Sequence, residues 1–364
     1  MEYVKKKMLW FKITCILFTT ISSTQAEQTL TIASWGGVYE KAQQTAWFNP
    51  FTKVSGITIQ TQTYNGGLSI LKQDDLPDLI DMTEFDARHA CDLGLLEPLN
   101  YSLIAPTSND KFDSKSDFNP GTFSTCAIAH STVATLIAYN PVDFLARKPQ
   151  TISDFFDIQR FPGKRGLRKE PYDFLEWALI AEGIPVSQIY DMLSTPRGIE
   201  LAFKKLDGIR EHIIWWENPE EPAQLLKSKQ VVMTSGFNGR FFAQQSLENP
   251  INLIWDGQII DKEVWVVPSK QNPHPQINQF LRFVTESKQL AALARLIPYG
   301  PTRQSAMWQI GRHPEYGIRM LDHLPTTPHN LKTALFRNVS WYAYTTEVRE
   351  KAFRDWLKAA DKVD

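Results

Sequence analysis

The side chains of this 364-residue chain that could do chemistry are aromatics and acids gathered where apolar runs end. TLTIAS stops at Trp35, turns on Gly36 and Gly37, and resumes in a helical pattern through Val38 and Tyr39. PDLIDMT ends at Thr83, followed by Glu84 and Phe85, and QVVMTSG ends at Phe237. DKEVW supplies Asp261, Glu263 and Trp265, and Tyr299 lies in the loop IPYGPTR. Ring faces attract an organic ammonium by about 0.5–2 kcal/mol each, and a carboxylate fixes it through a charge-assisted hydrogen bond. Taken singly, each aromatic reads better as a core residue. Their shared place after strands, where open α/β sheets bind ligands, makes a candidate site of them.

Other chemistries are poorly served. The sequence has no G-x-S-x-G, no P-loop and no H-E-x-x-H. Its seven histidines are scattered, and His89, His130 and His212 each stand alone. Asp154 and Asp157 flank two phenylalanines in a pattern suited to a helix cap rather than an acid/base pair. No adjacent tyrosines offer ferric-ion ligands, no His/Cys cluster has metal-ligand spacing, and no cofactor is expected. The chain reads as a binding protein, not an enzyme.

The elements that must position these residues alternate. Strands are expected over 29–34, 57–64 and 77–83, with helices over 38–48, 68–73 and 84–93 between and after them. Pro50 breaks or kinks the first helix, and Gly56 ends that unit. This β-α-β-α-β order implies a mostly parallel sheet flanked by helices. Further strands are expected over 131–140, 230–236, 251–256 and 263–269. Further helices are expected over 174–181, 198–206, 276–296 and 345–358, the last burying Val348, Phe353, Trp356 and Leu357. At this length two domains are the natural division, joined by crossing strands because no low-complexity linker is present.

Residues 1–26 read as an export leader. Lys5, Lys6 and Lys7 precede a short apolar run, and small residues end at Ala26. Lys12 and the shortness of the run argue against a membrane anchor. Without the leader's four lysines and one glutamate, 35 basic and 39 acidic side chains remain, a net charge of −4. That balance excludes a basic nucleic-acid binder. A periplasmic location follows, and there Cys91 and Cys126 are expected to form a disulfide rather than remain free thiols.

SWGGVY, FTKVSGITIQ, PDLIDMTEFDA with LGLLEPLN, FPGKRGLRK, FNGR and IPYGPT recur in an order that resembles the periplasmic substrate-binding proteins of ABC importers, in the spermidine/putrescine-binding branch. The resemblance spans nearly the whole chain after the leader. It implies an α/β, two-lobed periplasmic binding protein fold of type II, each lobe a mixed sheet flanked by helices. Lobe one would comprise residues 27–135 and 262–307, and lobe two residues 136–261 and 308–364. Hinge strands would cross near 132–139 and 255–263. The implied partners are one small ligand, polyamine-like, and an inner-membrane permease; the receptor would act as a monomer. By position, the resemblance puts Trp35 against the ligand, with Thr83, Phe85, Glu170, Asp173, Phe237, Glu263 and Tyr299 around it. The register slides by one residue near Tyr39 and near Asp261. Phe85 and Phe237 stand where the branch has Tyr and Trp, so two polar handles are missing. Arg168 or Arg240 could instead meet a ligand carboxylate, since a guanidinium binds one through two N–H groups. The ligand is therefore a diamine or polyamine, or a zwitterion such as an ω-amino acid. A secreted enzyme on the same scaffold is the alternative from another class.

Overall fold

A computed structural model describes residues 29–101, 116–245, 249–270 and 274–360. The expected leader lies outside the described residues. Ten strands are present: β1 Thr29–Ser34, β2 Thr58–Thr63, β3 Leu79–Thr83, β4 Ala127–Tyr139, β5 Arg165–Arg168, β6 Ile213–Trp216, β7 Met233–Phe237, β8 Asn252–Val266, β9 Gly300–Pro301 and β10 Leu335–Phe336. They pair in the order β2-β1-β3-β8-β4-β7-β5-β6, with β10 against β8 and β9 against β4.

The two long strands organise this sheet. β4 and β8 run antiparallel to each other. β3 pairs with the far end of β8, at Glu263 to Val266, and β7 with the far end of β4, at Thr135 to Tyr139. Each end thus carries a parallel trio, β2-β1-β3 at one and β7-β5-β6 at the other. Helices cover both faces of each trio, which is why β1, β3 and β7 are nearly continuous apolar or small-residue runs rather than alternating ones. Leu30, Ile32, Trp47, Phe51 and Phe280 pack one core of the first trio, and Ile80, Met82 and Val264 the other. Phe155, Phe174, Trp177 and Leu206 pack one core of the second trio, and Leu136, Leu226 and Phe241 the other. The result is a mixed α/β, two-lobed architecture. No described helix is long and apolar enough to cross a membrane.

Several elements differ from the sequence reading for local reasons. The first helix does not stop near Pro50. Gln44–Phe48 widens into a π-turn, and Pro50 then enters at the start of the helix Asn49–Ser55, where its missing N–H is tolerated. Gly56, at φ 74°, closes it. The strands expected over 251–256 and 263–269 are one strand, β8. Gly257 lets it pass the Ile152 side chain, where a Cβ would come within 2.5 Å. The helix expected over 276–296 is two, Ile277–Val284 and Ser287–Leu296, because Glu286 is extended between them. The last helix begins earlier, as Val339–Ala360, and its Val348 is 64% exposed rather than buried. Thr151 and Asp154 form a reciprocal capping box, so this acid caps a helix as its sequence pattern suggests.

Cys91, near the end of the helix Glu84–Asp92, and Cys126, just before β4, are joined by a disulfide. It ties the first trio's crossover helix to a long central strand.

Candidate ligand-binding cleft

In both trios the parallel strands end at the same place. β1 delivers Trp35, β3 delivers Thr83 and Phe85, β5 delivers Arg168 with Tyr172 and Asp173 beyond it, and β7 delivers Phe237. These ends face one another across a cleft floored by β8 and β4. Thr83 lies beside Glu263, and Val133 beside Asp261, in the strand register.

The cleft has two contiguous chambers. Trp35, Tyr39, Thr83, Phe85, Asp173, Phe237, Arg240, Asp261, Glu263 and Tyr299 all line the inner one. Glu170 lines the outer one instead. On one common measure the inner chamber leaves about 50 Å³ and the outer about 390 Å³. The register left open near Tyr39 resolves by placement: Tyr39 lines the inner chamber, and Val38 borders a separate surface groove. Trp265 is fully buried against Trp47 and Phe280. It shares a strand face with Glu263 but lies two residues, about 7 Å, further along, beyond the chamber.

Each wall residue is held from behind. Trp35 stacks on Tyr64 at 5.0 Å, and the Tyr64 hydroxyl donates to the Asp81 carbonyl at 2.6 Å. Tyr39 Oη donates to Asp81 Oδ2 at 2.7 Å, and Gln43 Nε2 donates to the same oxygen at 2.6 Å. His130 Nε2 meets Asp81 Oδ1 at 3.0 Å. His130 sits where the β4–β8 register shifts between Ala129 and Ser131, a bulge that re-aims the side chain toward Asp81. A fully buried Asp-His-Tyr-Gln network therefore backs the inner chamber.

Most charges of the cleft are paired, but Glu263 Oε2, Arg168 Nε and the Nε and Nη1 of Arg337 are buried without hydrogen-bond partners. Arg337 bridges Asp173 at 2.5 Å and Asp261 at 2.7 Å. Asp173 takes φ 68°, ψ −50°, a costly backbone state for a non-glycine residue, and the Arg337 bridge helps hold it. Arg240 pairs with Glu220, and its Nη2 donates to the Trp35 carbonyl at 3.0 Å. Arg168 pairs with Glu170 at 2.8 Å, yet its Nε is buried without a hydrogen-bond partner. Glu263 is buried with Oε2 unpartnered, and no described Lys, Arg or His forms an ion pair with it. Burial, then the nearby Asp81 and Asp261 carboxylates, push the Glu263 carboxyl well above its usual range. The Trp35 indole lies close enough to favour the charged form, but the two do not reach hydrogen-bond geometry. Burial also raises Asp261 to about 6, with Arg337 pulling the other way. Among the described residues no cluster of His, Cys, Asp or Glu could hold a metal ion.

Arg337 and Tyr172 line the cleft, and Tyr64 and Glu220 support Trp35 and Arg240; sequence reasoning missed all four. Tyr64 ends the expected strand 57–64, where the same strand-end rule applies; Tyr172 follows β5, a four-residue strand not expected from the sequence. Arg337 gives no such signal: it follows the two-residue strand β10 in an irregular stretch.

A cleft between two parallel-sheet lobes, lined by aromatics and paired charges, defines a solute-binding protein. Comparison with known proteins gives the family. Residues 46–310 match the bacterial extracellular solute-binding protein family, and the chain belongs to it. It is 32% identical over 346 residues to a gamma-aminobutyric acid-binding protein of Pseudomonas aeruginosa, covering 94% of each chain. An ABC transporter substrate-binding protein from Bradyrhizobium japonicum USDA 110 superposes with a TM-score of 0.78 at 26% identity, over 90% of this chain and 99% of that one. The GABA receptor Atu4243 superposes at 0.76 with 25% identity, over 90% and 97%. The spermidine/putrescine-binding protein PotD of Streptococcus pneumoniae shares the fold, at 17% identity and a TM-score of 0.65 over 91% and 99%. The chain is thus the substrate-binding protein of an ABC transporter: it binds a small molecule for delivery to a permease, and it is not an enzyme.

Proposed function

We propose that this chain is a periplasmic receptor for a small zwitterionic ω-amino acid of the GABA type. The observation that carries this reading is the pair of unmet groups in one cleft. Glu263 is a buried carboxylate without a cation, and Arg168 offers a buried N–H without an acceptor. A ligand ammonium answers the first and a ligand carboxylate the second. Arg337 also has unpartnered N–H groups, but two carboxylates flank it and disfavour a third, whereas Arg168 pairs with Glu170 alone among the described residues. Arg240 is held by Glu220 and the Trp35 carbonyl. Trp35, Tyr39, Phe85, Phe237 and Tyr299 would pack the methylene chain between the ends. The small inner chamber suits a short ligand, and the names of the Pseudomonas relative and of the Atu4243 receptor agree with it.

A diamine or polyamine is the second reading. The three carboxylates Asp173, Asp261 and Glu263 in the inner chamber favour it. Against it, a second ammonium would stand beside Arg168. The lobes expected from sequence, 27–135 with 262–307 and 136–261 with 308–364, would close on the ligand, which favours the closed state by its differential affinity. The receptor would be an exported monomer.

A calorimetric panel of GABA, 5-aminovalerate, putrescine and spermidine tests this. Saturable binding of an ω-amino acid at least about tenfold tighter than either amine is expected. Binding of the amines alone would overturn the zwitterion reading in favour of the second.

A further inference from the structure

We propose that the outer chamber is a second subsite, which receives whatever a cargo carries beyond its carboxyl end. The receptor would then take ω-amino acids conjugated through the carboxyl group as well as free ones. This rests on the zwitterion reading and deepens it.

Orientation comes first. Glu263, Asp261 and Tyr39 line only the inner chamber, whereas Arg168 lines both. An ammonium held at Glu263 therefore points inward, and the carboxyl end lies at the junction. The chambers share Trp35, Thr83, Phe85, Arg168 and Tyr172, so that end lies at the boundary with the larger space. On the same measure the outer chamber is the larger, about 390 Å³ against about 50 Å³.

The chemistry of the outer chamber follows from its pairings. Arg168 meets Glu170 at 2.8 Å, Lys169 meets Glu217 at 3.0 Å, and Arg354 meets Glu350 at 3.3 Å. Asp86 accepts from Thr83 Oγ1 at 2.9 Å and from the Gly67 N–H at 3.2 Å. With these charges mutually satisfied, the chamber asks for no further ion. Trp35, Tyr172 and Phe353 present aromatic surface there. Such a space suits a polar, uncharged group. Converting the ligand carboxylate to an amide leaves a carbonyl that the free Arg168 Nε can still reach.

Calorimetry on the full chain with GABA, the dipeptide amide γ-aminobutyrylglycinamide and N-acetyl-GABA decides it. The dipeptide amide is expected to bind within about tenfold of GABA. N-acetylation removes the inward ammonium and should cost about 100-fold or more. Glu350→Trp, which fills the outer chamber from the last helix, should weaken the dipeptide by about tenfold or more while GABA stays within about twofold. Binding of GABA without the dipeptide overturns the second subsite and leaves the zwitterion reading standing. Failure of both overturns both, and equal weakening of both ligands by Glu350→Trp overturns the separation of the chambers.

Discussion

Replacing Glu263 by Gln isolates the charge on which ligand recognition is argued to depend. The residue is buried on β8, has no cationic partner among the described residues, and has Oε2 free of hydrogen bonds. Removing one partner of a buried ion pair costs about 3–5 kcal/mol, because the other charge is left uncompensated. For a bound ω-amino acid that is about a 150- to 5,000-fold loss of affinity. The empty protein should respond in the opposite sense. The native-state carboxyl is raised above its usual range by burial and then by Asp81 and Asp261, so its ionised form opposes folding at neutral pH. The penalty sets in as pH rises above the unfolded-state value, and it vanishes in acid. The variant should therefore be no less stable than the parent near neutral pH, with any gain fading below about pH 4. Binding carries the same signature. A ligand ammonium favours the ionised carboxylate, so binding below the empty-site pKa releases a proton, and affinity rises with pH. Arg240 acts on this acid in the same direction as the ligand, Asp81 and Asp261 in the other. Titration calorimetry in buffers of different ionisation enthalpy measures the released proton, and denaturant unfolding measures stability. An affinity within about threefold of the parent would refute the reasoning. So would the absence of proton release from the parent on binding at neutral pH.

Three further outcomes are expected. Trp35→Ala should weaken ligand binding by about 0.5–2 kcal/mol, roughly 2- to 30-fold, with little change in unfolding midpoint; unchanged affinity by calorimetry would remove Trp35 from the site. Gly36 takes φ 64°, ψ −170°, and a Cβ there would come within 2.5 Å of Thr63 Cγ2. Gly36→Ala should therefore cost about 1–3 kcal/mol in denaturant unfolding, and a variant as stable as the parent would contradict that geometry. The Cys91–Cys126 bridge spans a sequence separation of 35, so replacing both by Ser should cost about 2–4 kcal/mol. Native and reduced masses should differ by two hydrogens, and equal masses would show that the bridge does not form.

Much of this molecule was legible residue by residue. The strand-end rule located Trp35, Thr83, Phe85 and Phe237, because a parallel βαβ unit places the residue after each strand at the same edge of the sheet. Tyr39 was legible only as a residue near that edge. Its orientation toward the inner chamber depends on helix phase after two glycines with positive φ. Trp265 looked like a wall residue and is core, since distance along β8, not face, separates it from Glu263. The strand β8 itself was read as two, because Gly257 and Gln258 resemble a turn until the neighbouring helix is there to pass.

The sequence by itself determined the alternation of strands and helices, the strand-end loops and the presence of acids and aromatics on them. These are local matters, settled by apolar periodicity, glycine placement and turn chemistry over a few residues. Only the tertiary structure decided which charges cancel. Arg337, about 75 residues beyond Asp261 in the sequence, bridges Asp173 and Asp261 together. Arg240 is taken by Glu220, while Glu263 and N–H groups of Arg168 and Arg337 are left unmet. Pairing over such separations depends on where two lobes meet across a cleft, and no local pattern encodes it. Those unmet groups, rather than the count of acids and arginines, favour a zwitterion over a diamine.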